Sequence, residues 1–579
     1  MLEEVEKTSI IAFASDCLQA TMKSTSIIFL FLFILQLSHQ TISENVEPEL
    51  TLSSGSIRGT SVDFRGVKVY QFLGIPFAEP PLNELRFQKP VSKKPWNGVL
   101  SVNKWGSACM QPVFPGYNTE LHLNEDCLVL NVFTTEAAFQ DKQNGKKHKL
   151  RPVMVWIHGG SFNYGSANTP DQHDGTPITG LKDVIIVSIN YRLGSLGFLQ
   201  LPEAGVPGNM GLWDQQLALK WVKDNIEHFG GDPNKVTIFG ESAGSMSVSA
   251  HLVSPQSKGL FTNAIMQSGS IYDLDRWTQP GLVANFTSKI GCISDNYKSC
   301  LSNYRFGQFP EADRLTFWPT VDGEFLPHRA EELVSNHTVD PNINVLLGTN
   351  ANEGAFMLLM KDMVTFHPLN PINLTIPHAK YIFGKLFGKT LIDFYSERYL
   401  ASLSADDSDS IRLAVTQALG DSIFTCPTYA TGRDLIASGV PNVYGYVQTQ
   451  KPTHTLISVS GQAKWMSNIA SHADTFPMVF GHPFNKLDKF KNEDVVLSFL
   501  MMDIWTKFAK DGKPPQISHQ EWLPWNLSDP IPYPTMVLNS NKIGLIETKS
   551  AEFCAKNWPF PLENYYSMDS ESGVYAEIE

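Results

Sequence analysis

The chain has 579 residues, 42% of them hydrophobic and 18% charged, which is ordinary for a large globular core, and its many glycines and prolines fit a loop-rich α/β enzyme. A formal net charge of −13 argues against a nucleic-acid partner, whose phosphates call for a basic stripe, and fits a soluble acidic surface. Length alone leaves the domain count open, because α/β architectures often run long as one unit.

Residues 1–45 are read as an N-terminal extension and a secretory signal. Met22 offers a second start, Lys23 a small basic region, and Ile27 to Leu37 an unbroken apolar run too short to span a bilayer. Residues 46–562 are expected to form one catalytic domain, and 563–579 an acidic, flexible tail. Glu49 to Tyr70 alternates apolar and polar residues around Gly55, Gly59 and Gly66, the pattern of antiparallel strands and turns, and Phe72 to Ala78 with Pro80 and Pro81 is expected to be rigid and irregular. Compact apolar runs follow at Val153 to Ile157, Val184 to Ile189, Val236 to Phe239, Val345 to Leu347 and Val443 to Val447, set between helical patterns. This is the sequence form of a large, mostly parallel α/β sheet flanked by helices. Trp213 to Phe229 carries Leu219, Val222, Ile226 and Phe229 on one stripe and stops at Gly230 and Gly231; Glu493 to Lys510 is a second amphipathic helix.

Six cysteines follow Met22. Short separations favour Cys109 with Cys127 and Cys292 with Cys300, leaving Cys426 with Cys554, and an even count beside a secretory signal favours three disulfides. The spacing does not resemble a zinc site, so no metal is expected. Sequons at Asn285, Asn336, Asn373 and Asn526 agree with a secreted glycoprotein.

Chemistry concentrates at Gly240-Glu-Ser-Ala-Gly244, between a β-branched run and a helix that Pro255 stops. A G-x-S-x-G turn in that setting forces Ser242 into a strained strand-to-helix elbow with its hydroxyl exposed. A serine hydroxyl at neutral pH is a poor nucleophile, so it needs a base, an acid to orient the base, and backbone donors for the developing oxyanion. Ile157-His-Gly-Gly-Ser-Phe162 has the form of an oxyanion loop, with the N–H of Ala243 as a further donor. Glu353 follows a buried strand, where catalytic groups gather in open sheets. For the base, His472 and His482 both come late enough for the chain order serine, acid, histidine of α/β hydrolases.

Taken together, Phe72-Leu-Gly-Ile-Pro-Phe-Ala78, Glu125-Asp-Cys-Leu-Val-Leu-Asn131, Asn190-Tyr-Arg-Leu-Gly194, Gly230-Gly-Asp-Pro233, the elbow, Gln267-Ser-Gly269 and Asp322-Gly-Glu-Phe-Leu-Pro327 resemble the carboxylesterase type B family, which includes cholinesterases. The resemblance implies an α/β-hydrolase fold with Ser242 as nucleophile, Glu353 as acid and His472 as base. It also implies oxyanion donors at Gly160, Ser161 and Ala243, and Ser268 supporting the acid. All three cysteine pairs look like the cholinesterase disulfide set. Glu241, Tyr117 and Phe356 are the substrate-binding candidates. Tyr117 stands where cholinesterases carry a choline-binding tryptophan, and Ala312-Asp-Arg-Leu-Thr316 lacks the acyl-pocket aromatics, which implies a pocket roomier than acetyl needs. The segment Trp465 to His472 runs about two residues longer than the family's usual spacing and lacks its glycine.

The expected function is a secreted serine carboxylic-ester hydrolase acting on small to medium esters through an acyl-enzyme, with no cofactor, a small-molecule partner and no stable membrane span. The alternatives are a non-catalytic, cholinesterase-like adhesion or ligand-sequestering protein, and a lipase acting on longer acyl esters.

Overall fold

Short apolar runs whose alternate residues point to opposite faces become the strands of one large sheet. The structure is a computed structural model and describes residues 47–113, 120–146, 149–272, 281–292, 296–455, 464–529, 532–547 and 553–554. The expected signal sequence, Tyr117 and the expected acidic tail lie outside the described residues.

The sheet has eleven strands: β1 (Thr60–Phe64), β2 (Val67–Pro76), β3 (Val129–Thr135), β4 (Arg151–Ile157), β5 (Ile185–Ile189), β6 (Gly231–Glu241), β7 (Asn263–Gln267), β8 (Asn344–Asn350), β9 (Asn442–Gln448), β10 (Pro534–Leu538) and β11 (Gly544–Glu547). Their spatial order is β11-β10-β9-β8-β7-β6-β4-β5-β3-β2-β1. From β10 to β5 every neighbouring pair is parallel, and both margins turn antiparallel. This is the α/β-hydrolase type of sheet expected from the sequence. A small separate sheet joins Glu49–Leu52, Gly55–Arg58 and Val99–Ser101.

Strand β4 shows how the sheet divides the core. Val153, Val155 and Ile157 pack into one apolar cluster with helices α1 (Met210–Asn225) and α2 (Ala243–Val253). Met154 and Trp156 face a second cluster, to which a long helix (Asn492–Asp511) contributes Leu497, Met501, Ile504, Trp505 and Phe508. Burial on both faces explains why these strands are apolar runs without alternation. The stripe expected from Trp213 forms α1, and its last residues tighten into a 3₁₀ turn at Ile226–Phe229 before Gly230 at φ 87°.

One expectation fails. Phe72 to Pro76 is strand, not irregular segment: β2 pairs with β3 across a register shift between Phe72 and Ile75. Gly74, at φ 75° with its N–H bonded to Asn131 Oδ1 at 2.9 Å, lies in the bulge that absorbs the one extra residue. The glycine and proline that argue against a strand in the sequence are the residues that a bulged strand uses.

Three disulfides close Cys109 to Cys127, Cys292 to Cys300 and Cys426 to Cys554. The four sequon asparagines are all exposed. Among the described residues no helix is long and apolar enough to cross a membrane.

Candidate active site

Five adjacent strands, β9-β8-β7-β6-β4, bring the candidate residues to the carboxyl edge of the sheet, each in the segment that follows its strand. Ser242 follows β6 and caps α2 with φ 59° and ψ −124°, a conformation a non-glycine residue holds only where its surroundings enforce it. The surroundings are close. A Cβ on Gly240 would lie 2.5 Å from the carbonyl carbon of Gly244, and one on Gly244 would lie 2.1 Å from Ile157 O. The two glycines of the turn are therefore steric requirements, and they hold Ser242 at a half-exposed position between buried Glu241 and Ala243.

Past β4, Gly160, Ser161 and Phe162 all have positive φ, at 112°, 55° and 56°. Asn163 and Tyr164 donate their N–H groups to Gly160 O at 3.0 Å each, and a Cβ on Gly160 would meet Tyr164 O at 2.0 Å. The N–H groups of Gly160, Ser161 and Ala243 donate to no acceptor among the described residues. His158 braces this loop from below. Burial pulls its imidazole down to about 4, so the ring is neutral at pH 7; its Nδ1–H donates to Gly159 O at 2.8 Å, and Tyr191 stacks on it at 4.4 Å.

On the far side, Ser268, which follows β7, donates its hydroxyl to Glu353 Oε1 at 2.6 Å, and the Asn350 N–H also donates to that oxygen. Glu353 opens helix α3 (Gly354–Lys361), and its other oxygen accepts from His472 Nδ1 at 2.6 Å, which leaves Nε2 as the working nitrogen. Nε2 lies 3.2 Å from Glu241 Oε1, an ion-pair distance without hydrogen-bond alignment, and makes no hydrogen bond to Ser242. Burial pulls the His472 imidazole down, but the charges of Glu241 and Glu353 and the bond from Glu353 outweigh it, so its pKa stands above the ordinary value. Burial pushes the Glu241 carboxyl up to about 7. His482 has no place in this cluster: it bonds Gln172 O at 2.8 Å.

A pocket of about 60 Å³ connects these groups, lined by Gly160, Ser161, Tyr164, Glu241, Ser242 and His472, with Trp156, His173, Phe476, Phe356 and Met357 also on its walls. None of residues 312–316 lines this space, and Ala312 is buried in the core.

The sequence profile of the carboxylesterase family matches residues 46–554. This chain belongs to the carboxylesterase family. It is 33% identical to an acetylcholinesterase of Leptinotarsa decemlineata, over 87% of this chain and 84% of that one. It is 31% identical to acetylcholinesterase-1 of Trittame loki, over 89% and 95%, and 33% identical to an acetylcholinesterase of Bungarus fasciatus, over 88% and 86%. Membership makes the protein a carboxylic ester hydrolase of the serine type.

Two contributors to this carboxylesterase site carry no sequence signal. Phe424, on a π-helical turn (Asp421–Thr425) between α4 (Ser408–Gly420) and α5 (Cys426–Ala437), stacks on the His472 ring at 4.1 Å. Met357 reaches the pocket one residue after Phe356, whose own ring lies 6.2 Å from His472. The π turn could have been sought as an interruption of helical periodicity, since such turns gather at functional sites.

Proposed function

We propose that Ser242, His472 and Glu353 form the catalytic triad of a secreted carboxylesterase that cleaves small to medium carboxylic esters. The reading rests above all on the buried pair of Glu353 Oε2 and His472 Nδ1 at 2.6 Å, set beside a serine on a strained elbow. Glu353 fixes the tautomer that leaves Nε2 free to accept a proton. As Ser242 Oγ attacks the ester carbonyl, its proton passes to Nε2, and the N–H groups of Gly160, Ser161 and Ala243 stabilise the oxyanion. His472 then protonates the departing alcohol, and a water activated by the same nitrogen releases the acid from Ser242. Nε2 lies 3.2 Å from Glu241 Oε1 and makes no hydrogen bond to Ser242, a looseness that substrate binding is expected to remove.

The relatives hydrolyse acetylcholine by name. Choline esters are the weaker candidates for this chain, because Tyr117 offers a quaternary ammonium a poorer face than tryptophan. Secretion and glycosylation fit the three disulfides and the exposed Asn285, Asn336, Asn373 and Asn526. A fluorophosphonate probe tests the chemistry directly: the folded protein should be labelled on Ser242 and lose ester hydrolysis in step with labelling. Absence of label on folded protein would refute the triad.

A further inference from the structure

An imidazole makes its hydrogen bonds in the plane of its ring, and Glu353 uses that edge of His472 at Nδ1. The faces are left, and Phe424 covers one of them. Its ring centroid lies 4.1 Å from that of His472, with the two planes 23° apart, while Phe356 stands further off at 6.2 Å. Both rings of the close stack are buried, at 4% exposure each, so the stack is dry.

The placement of Phe424 is built into the fold. The π turn that carries it is fastened by its own side chains: the Asp421 carboxyl accepts from Tyr399 OH at 2.9 Å and from Gln417 Nε2 at 2.8 Å, and the Ser422 hydroxyl donates to Ala418 O at 2.8 Å and lies 2.9 Å from Tyr395 OH. The helix before the turn, α4, is in backbone contact with the segment that carries the acid. A Cβ on Gly420 would lie 2.7 Å from Gly354 N and 3.1 Å from Glu353 Cβ, and one on Gly354 would lie 2.0 Å from Thr416 O. The carboxylate and the phenyl ring therefore reach His472 from one rigid mount.

We propose that Phe424 is a positioning residue for ester hydrolysis, whose ring face stabilises His472 as imidazolium more than as neutral imidazole and so favours the state in which the base holds the Ser242 proton. This rests on the triad reading. A cation over the face of a phenyl ring is attracted by the ring's quadrupole, most strongly when both are desolvated, and a neutral ring gains less. As Ser242 Oγ bonds to the ester carbon, the carbonyl electron pair moves to oxygen and the hydroxyl proton to Nε2, so positive charge appears on the imidazole against the phenyl face. An interaction that strengthens only as this charge develops raises kcat. The ionisable groups around the base are the carboxyls of Glu241, Glu353 and Asp474, which favour imidazolium when charged, and Tyr446 and His173, which burial keeps neutral. Asp421 is turned to Tyr399 and Gln417.

Replacing Phe424 with mono-, di- and trifluorinated phenylalanines drains the quadrupole in steps at nearly constant shape, and Phe424→Leu removes it while keeping the site apolar. With phenyl acetate as substrate, the acid limb of kcat/KM should move to lower pH with each added fluorine, and the plateau should fall with it at an unchanged melting temperature. Phe424→Leu should move the limb by about one pH unit and lower the plateau about tenfold. A limb that stays in place across the fluorinated series overturns the proposal, even where Phe424→Leu is slow, because the ring then only packs; if Phe424→Leu does not fold, the fluorinated series decides alone. Folded wild-type protein that hydrolyses no ester and takes no fluorophosphonate fails the triad reading itself, whereas an active, labelled enzyme with a flat series condemns the role of the ring alone.

Discussion

The pocket around Ser242 has one wall of backbone and one of side chains. At the elbow and the Gly160 loop, main chain meets main chain so closely that added Cβ atoms on Gly159, Gly160, Gly240 and Gly244 would lie 2.0 to 2.6 Å from their nearest backbone atoms. On α3 the wall is Phe356 and Met357. Main chain so confined has one conformation, which suits groups that must meet a developing charge to within tenths of an ångström. Methionine side chains have several, which suits a surface that meets the inert part of a substrate. On the triad reading, reaction geometry and substrate choice are lodged in different materials, and changes to the two walls should fail in different ways.

The largest effect is expected from Ser242→Ala, which removes the proposed nucleophile and should cut kcat about a millionfold while leaving the melting transition in place; calorimetry beside an esterase assay checks both. Glu353→Gln keeps the shape but supports the wrong tautomer of His472, and about a 10⁴-fold fall in kcat is expected with little change in KM. Gly160→Ala tests the backbone wall itself. Its methyl must displace the Tyr164 carbonyl, so activity should fall roughly 100- to 1,000-fold toward every ester, long or short; a change in chain-length preference instead would blur the division between the walls.

Smallest is the effect of Glu241→Gln. His472 works as a base only when neutral, so kcat/KM is lost as pH falls through its raised pKa. Removing the Glu241 carboxylate removes one of the charges that hold that pKa up, and the acid limb of the pH profile should move to lower pH. A limb that stays in place would mean that Glu241 is already neutral in the working enzyme, which its own value of about 7 makes the informative alternative.

What the sequence carries about this molecule is what is local. The elbow is legible because strand, turn and helix are contiguous and the turn's glycines are dictated by contacts within a few residues and one neighbouring strand. Glu353 is legible as a carboxylate after a buried strand, but its choice over other carboxylates comes from the family resemblance, as does that of His472 over His482. The structure brings Ser242, Glu353 and His472 together although the segment before the histidine is longer than the family's. Phe424 is not legible, because a stacked ring acquires meaning only from what the fold sets beside it. The walls of the pocket are not legible for the same reason: none of residues 312–316 lines it, while Tyr164, Phe356 and Met357 come to it from elsewhere in the chain.

The bridge from Cys426 to Cys554 reaches further than its role as a staple. Cys426 begins α5 one residue after the π turn, and two residues after the ring that presses on His472. The seat of the histidine is thereby tied to an anchor that exists only once two thiols have been oxidised. On the proposed reading of a secreted enzyme with His472 as its base, a newly made chain in a reducing compartment holds the same side chains without that tie, and the oxidation that closes the bridge also finishes setting that ring.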